Sequence, residues 1–409
     1  MPQTHLLSDL TELRTDFVQK INDLWLSTVE DVAGIIRLAE INPDISHQMI
    51  LSLLATELSV PTEIAQRDFI NPIRKSIPDH EWYAMAKLEE PLPIGLLDDL
   101  TPLDSDIFLS PSSTPSSDEL PVRINLTENY PELFLGIRNQ GQRGTCVAFA
   151  ATALHEYILG RAKGEPAPHL SEEFLYWASR NVQLKDLPNT CHQCGTIIPS
   201  ALKAIMELGQ CTNQTIPYQS DHRPCNVKLF DSDIEDPLNS CIHDNSSNKK
   251  SFLASGLIPP IVMKNAQLYK LEDWEIVEIT DIVEMKRTLF EGFPIIVGVK
   301  VFLSWYSPSS RHRGRINIPF RLEIDNFGYQ MGGHAMLLVG YENDVSNQTM
   351  RTPGGGYFLV RNSWGKSWGD ESLKGLSPGY GMLPYGYFSK GLYRAYTLKP
   401  KNDYNKLQK

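Results

Sequence analysis

Two kinds of hydrophobic period divide this chain, and their order constrains its fold most. Helical spacing prevails as far as Leu208, whereas β-branched or aromatic runs bounded by glycine come only after Pro294. Apolar residues at i, i+3 and i+4 line one face of a helix, and short β-branched runs between turn residues suit strands. The helical runs are 146–159, 172–180 and 200–208, the last closed by Gly209 as a C-terminal cap. The strand-like runs are 294–301, 334–341 and 357–362. Helices followed by strands point to an α+β protein of two lobes. Polar stretches at 244–251, 307–315 and 343–356 read as surface loops, among them the basic cluster Arg311 to Arg315. No internal repeat is present.

The chain is longer than one ordinary domain, so a core of about 250 residues with an extension is expected. Residues 1–101 form the extension, a small all-α region. Ser27 and Glu30 have the spacing of a capping box, and Val29, Val32, Ile36 and Ala39 then share a helix face that ends near Pro43. Ile45, Met49, Ile50, Leu53 and Leu54 mark a second helix, and Pro61 suits the first turn of a third. This region weakly resembles helix-hairpin-helix modules. Its first 80 residues carry 12 acidic and 6 basic side chains, however, which argues for a protein partner or a packing role over DNA. Residues 102–120 concentrate Pro, Ser and Asp as connectors do, which places the main domain at 121–400.

Charge and composition narrow the ligands. A net charge of −11 disfavours non-specific binding to nucleic acid or anionic lipid, and no apolar run is long enough to span a bilayer. A protein or peptide partner is expected, with neither nucleic acid nor membrane. The N-terminus lacks a basic start followed by an apolar core and a small-residue cleavage site, so a cytoplasmic location is expected. Six cysteines are too sparse for a complete disulfide framework. Cys191 and Cys194 have the spacing of half a zinc site, with Cys211, Cys225 or Cys241 available to complete it. No second such pair follows; free thiols or one or two disulfides are the competing readings, and no metal or cofactor is expected.

Three segments carry chemistry. In Asn139-Gln140-Gly141-Gln142-Arg143-Gly144-Thr145-Cys146, a Gly-rich turn delivers a cysteine to the start of an apolar helix. Unpaired N–H groups and the positive end of the helix dipole favour a thiolate there. The Gln140 side-chain N–H and the Cys146 backbone N–H could together stabilise an oxyanion. In Gly332-Gly333-His334-Ala335, a histidine opens an apolar strand, and in Arg361-Asn362-Ser363-Trp364, an amide ends another. An Asn carbonyl that accepts from one imidazole nitrogen fixes the ring, and the flanking Trp364 and Trp368 can shield that bond.

Taken together and in this order, these segments resemble the papain family of cysteine peptidases, over residues 121–395, with an ending, 379–385, that looks like bacterial members. The resemblance implies a helical lobe at about 130–225, a β-barrel lobe at about 270–400 and a cleft between them. It implies Cys146 as nucleophile, His334 as base and acid, Asn362 as orienter, Gln140 in the oxyanion hole, Trp364 over the His–Asn pair, and Gly195 and Thr196 lining the substrate groove. Two departures stand out. Arg143 replaces the family's cysteine three residues before the nucleophile, so the usual disulfide of that loop cannot form, and Val147 replaces the usual tryptophan after it. The 188 residues from Cys146 to His334 also exceed the family interval of about 130 to 150, which requires surface insertions. The N-terminal region lacks the family's long-helix propeptide signature. A cysteine in apolar sequence is usually a small buried hydrophobe; Gln140, His334 and Asn362 reverse that presumption. The expected activity is hydrolysis of peptide bonds through a thioester. Transpeptidation or deamidation at the same site, or a dormant peptide-binding protein, are the alternatives.

Overall fold

The computed structural model describes residues 5–41, 45–84, 94–96, 120–180, 195–220, 259–325, 330–345, 351–369, 376–388 and 393–401. The chain begins with helices α1 (Thr15–Asn22), α2 (Val29–Ile41), α3 (His47–Leu58), α4 (Thr62–Ala65), α5 (Asn71–Ser76) and α6 (Asp79–Ala84), with a π-helical turn at Gln66–Ile70. The capping box of α2 forms one residue later than expected. The Thr28 hydroxyl accepts the Asp31 N–H at 3.2 Å, and the Asp31 carboxylate accepts the Thr28 N–H at 3.4 Å. Ser27 and Glu30 are engaged elsewhere: Ser27 accepts from Arg315 at 3.1 Å and Glu30 from the His5 N–H at 3.1 Å.

After β1 (Arg123–Asn125) and α7 (Leu126–Asn129) come the three helices expected of the helical lobe, α8 (Cys146–Lys163), α9 (Glu172–Ala178) and α10 (Ile198–Leu208). Gly209, at φ +77°, ends α10. The remainder contains α11 (Pro260–Gln267), β2 (Trp274–Glu278), α12 (Ile282–Phe290), β3 (Ile295–Phe302), α13 (Pro308–Arg313), α14 (Arg321–Asp325), β4 (Gln330–Asn343), β5 (Gly356–Arg361), β6 (Tyr380–Pro384), α15 (Tyr385–Phe388) and β7 (Tyr393–Pro400). The strands form one antiparallel sheet ordered β2-β7-β3-β4-β5-β6, with β1 added to the far end of β4. Strand alternation splits its side chains between two cores. Ile296, Leu337 and Leu359 join α8, α9 and α10, whereas Val297, Leu338 and Val360 fall in the other cluster.

That second cluster also holds Phe17, Ile21, Val32, Ile35, Leu54, Phe69 and Trp82. The N-terminal helices therefore share a core with the β lobe. The polar bond between them corrects the reading of 307–315 as a solvated loop. Residues 308–313 are helical, and Ser309, Ser310, Arg313 and Arg315 are buried. The Arg315 guanidinium donates to Asp31 at 3.2 Å and to the Ser309 hydroxyl at 2.8 Å, and Asp31 accepts the Ser309 N–H at 2.9 Å. Docking of α2 satisfies the charge and covers what would otherwise be surface. The stretch 244–251 and nearly all of the expected connector, 102–119, lie outside the described residues.

Candidate active site

Cys146 opens α8 and is fully buried, as is His334 in β4. The imidazole Nε2 lies 2.8 Å from the Oδ1 of Asn362, the first residue after β5. Trp364 is tilted over the imidazole, with ring centroids 4.5 Å apart, and Trp305 meets it edge-on at 6.2 Å. Trp364 in turn packs against Trp305 and Trp368, each with centroids 6.0 Å away. The tilted Trp364 ring and the edge-on contact of Trp305 hold water away from the His–Asn bond, which strengthens it. Trp305 was missed in the sequence, although an aromatic pair immediately after a strand beside a candidate histidine is the signal that could have found it.

Gln140 reaches the same place by backbone pairing. Its N–H donates to the Ser363 carbonyl at 2.9 Å, the Gly365 N–H donates to the Arg138 carbonyl at 3.1 Å, and Asn139 and Trp364 form an antiparallel bridge. The segments bearing Gln140 and Asn362 thus lie side by side, joined at an isolated antiparallel bridge. The Gln140 amide Nε2 donates to the Arg143 carbonyl at 2.6 Å, and its Oε1 accepts from the Ser363 hydroxyl.

The turn before the cysteine is held by charge. Arg143 is buried, pairs with Glu173 of α9 (Nη2 to Oε1, 3.1 Å) and donates to the Gln219 carbonyl at 2.8 Å. The Tyr218 hydroxyl donates to the Gln140 carbonyl at 2.7 Å and lies 2.8 Å from the Thr145 hydroxyl. Arg143, whose presence rules out the usual disulfide of this loop, therefore fastens the loop to α9 by an ion pair.

Burial dominates the electrostatics. It pushes the Cys146 thiol up to about 12, opposed by backbone N–H groups of Ala335, Val147 and Gly95 that face the sulfur. It pushes His334 down to about 4, opposed by the bond to Asn362. His334 Nδ1 has no hydrogen-bond partner among the described residues. As arranged here, thiol and imidazole are both neutral, and the His–Asn half of the site is built while the sulfur faces backbone amides.

Thr196 and Gly333, the residue before His334, both bridge Leu96, and the Thr196 N–H donates to the Gly95 carbonyl at 3.0 Å. Gly195 has φ +147°, and a Cβ there would stand 2.2 Å from the Gly95 oxygen. Glycine is required by both the conformation and the close approach. Cys191, Cys194, Cys225 and Cys241 lie outside the described residues, whereas Cys211 is a buried free thiol. Among the described residues no group of acidic, His and Cys side chains could hold a metal ion, and no helix is long and apolar enough to cross a membrane.

The sequence profile of the papain family cysteine protease domain matches residues 120–379. The chain belongs to the papain family. Xylellain, a cysteine protease from Xylella fastidiosa, shares this fold at a TM-score of 0.52 and 26% identity, covering 75% of this chain and 96% of that one. An uncharacterised peptidase C1-like protein of Acanthamoeba polyphaga mimivirus is 33% identical over 128 residues, 31% of this chain and 34% of that protein. Peptidase 1 of Euroglyphus maynei is 26% identical over 263 residues, 63% of this chain and 57% of that protein. The matches thus span about a third and somewhat over half of these two curated relatives.

Proposed function

We propose that this papain-family chain hydrolyses peptide bonds, with Cys146 as nucleophile, His334 as general base and acid, Asn362 as orienter and Gln140 as oxyanion donor. The observation that carries the reading is the 2.8 Å contact of His334 Nε2 with Asn362 Oδ1 beneath Trp364. That bond uses Nε2 and leaves Nδ1, which has no partner among the described residues, to exchange a proton with the thiol. Once substrate and water enter, the thiol transfers its proton to Nδ1 and the sulfur adds to the peptide carbonyl carbon. The oxyanion is stabilised by the Cys146 N–H at the start of α8 and by a Gln140 amide that turns from Arg143. His334 then protonates the departing amine, leaving a thioester, and afterwards deprotonates the water that hydrolyses it.

Residues 121–400 supply the peptidase domain in this reading, with substrate lying along Gly195 and Thr196, and the helices of residues 1–101 brace it. A peptidyl electrophile directed at thiols tests the assignment. Wild type should be labelled at Cys146 and cleave peptides, and Cys146→Ala should do neither; proteolysis that survives the substitution would end the assignment. Product masses separate hydrolysis from transfer to an amine or deamidation, because only hydrolysis adds water across a cut chain.

A further inference from the structure

Glu323 is fully buried, and among the described residues no lysine or arginine pairs with it. A carboxyl taken out of water without a cation costs stability unless hydrogen bonds occupy its oxygens. Here they do, and the donors show where the group acts. Oε2 accepts the Phe320 N–H at 2.8 Å and closes the first turn of α14, as the glutamate of a capping box does. Oε1 accepts the Ser304 N–H at 3.3 Å, from a residue 19 positions earlier in the sequence.

Ser304 belongs to the turn Leu303–Tyr306, which follows β3 and is buried at every residue. Asn317 Nδ2 donates to the Ser304 carbonyl at 3.3 Å, so Ser304 is held at both its N–H and its C=O. The next residue is Trp305. Its Nε1–H donates to the Tyr387 hydroxyl at 3.0 Å, and its ring meets the His334 imidazole edge-on. In the β3–β4 ladder Val299 pairs with His334, the register slips between Val301 and Phe302, and pairing ends at Phe302. The ladder thus fixes His334 but stops short of Trp305, whose place depends on Glu323, Asn317 and Tyr387. At its outer side α14 packs on α3, where the Arg321 N–H donates to Glu57 at 2.9 Å, and α2 packs against the 303–306 turn itself.

We propose that Glu323 is a positioning residue for the imidazole of His334: it joins α14, seated on the N-terminal helices, to the turn that presses Trp305 against that ring. The inference rests on the reading of His334 as general base and acid. The reaction needs the ring in one place both when it takes the thiol proton and when it gives a proton to the leaving amine. Loss of the Ser304 bond frees the turn, Trp305 draws back, and water reaches the bond between His334 and Asn362. Burial pushes the ring down to about 4, so admitted water lets it rise towards the ordinary 6.5. Burial also pushes Glu323 up to about 8, so near pH 7 it is an uncharged acid that glutamine resembles in shape. Tyr387, the titratable group facing both Glu323 and Trp305, is raised well above its usual value by burial and is uncharged there too.

The test uses the full chain with histidine labelled at Cε1 and follows the titration of His334 by NMR, in a Cys146→Ala background so that no thiolate couples to the ring. The midpoint should lie near 4 in that parent. It should rise by about one pH unit or more in Glu323→Ala and in Trp305→Leu, with no further rise when the two are combined. Glu323→Gln should stay close to the parent. Glu323→Asp, which withdraws the acid by one methylene from its two N–H donors, takes the place of Glu323→Ala if that variant does not fold. With Cys146 restored, Glu323→Ala or Glu323→Asp should lower kcat by about 10- to 100-fold with KM little changed. A midpoint unmoved in the folded Glu323 variant, rises that add in the double variant, or a shift in Glu323→Gln as large as in Glu323→Ala would overturn the proposal. The expected midpoints with no peptide cleaved by wild type would instead remove the peptidase reading and leave the coupling of Glu323 to His334 in place.

Discussion

Arg143 and Glu173 form a buried ion pair that ties the turn in front of Cys146 to helix α9. Both partners are nearly inaccessible, so loss of either charge strands the other in a medium that does not solvate it. Glu173→Gln should destabilise the fold by about 3–5 kcal/mol, read as a lowered urea midpoint with an unchanged slope. Because the turn also carries Gln140, turnover should fall even at temperatures where the variant stays folded.

In the proposed mechanism the bond from His334 to Asn362 is made to a ring that becomes a cation. A hydrogen bond to a charged group contributes about 1.5–3 kcal/mol. Asn362→Ala should therefore reduce kcat by roughly 10- to 150-fold, with little change in KM, in a steady-state peptide assay.

Gln140 acts on the other side of the chemistry. If Gln140 is the oxyanion donor proposed above, Gln140→Ala should lower kcat by about 100- to 1000-fold. The rate of Cys146 alkylation by a small haloacetamide, which develops no oxyanion, should change far less.

Acid should loosen the molecule through its buried histidines. His334 and His155 both have pKa values pushed down by burial to about 4, against an ordinary 6.5. Their unfolded forms thus bind protons first. Stability is complete above about pH 6.5 and falls as pH drops towards 4, by roughly 3 kcal/mol for each group once both states are protonated. Thermal melts of His155→Gln between pH 7 and 4 should show a shallower decline than wild type.

Arg315 binds Asp31 across 284 residues of sequence. Arg315→Met should cost about 3–5 kcal/mol, because Asp31 keeps its buried carboxylate. Adding Asp31→Asn should return part of that loss, and the non-additivity of the two substitutions in a double-mutant cycle measures their coupling.

The parts of this molecule that were legible in the sequence are those whose signal is local. The place of Cys146 at the start of α8 and the contact of His334 with Asn362 each follow from a pattern within about ten residues, a Gly-rich turn, the head of an apolar run and an amide before Ser363-Trp364, and the order of helices and strands pointed to the fold class. Long-range partners left no such trace. Nothing near Arg315 announces Asp31, so a basic cluster that is buried reads as a solvated loop. The segment Ile94-Gly95-Leu96 is held against Gly333 and Thr196 mainly by main-chain bonds, which are the same for almost any sequence, and its one side-chain clue, Gly298 in a valine-rich strand, gains meaning only when Leu96 is seen against it. The capping box slipped by one residue because Ser27 and Glu30 have partners elsewhere in the fold.

The core shared by the N-terminal helices and the β lobe bears on any later cut in the polypeptide. Hydrolysis anywhere in 97–119 would sever one covalent link while leaving Phe17, Val32 and Trp82 in the cluster that contains Val297 and Val360. The product would run as two bands on a denaturing gel and elute as a single species from a sizing column. Proteolytic nicking and physical separation are therefore distinct events in this molecule, and shedding the first 84 residues would demand that a hydrophobic interior be opened.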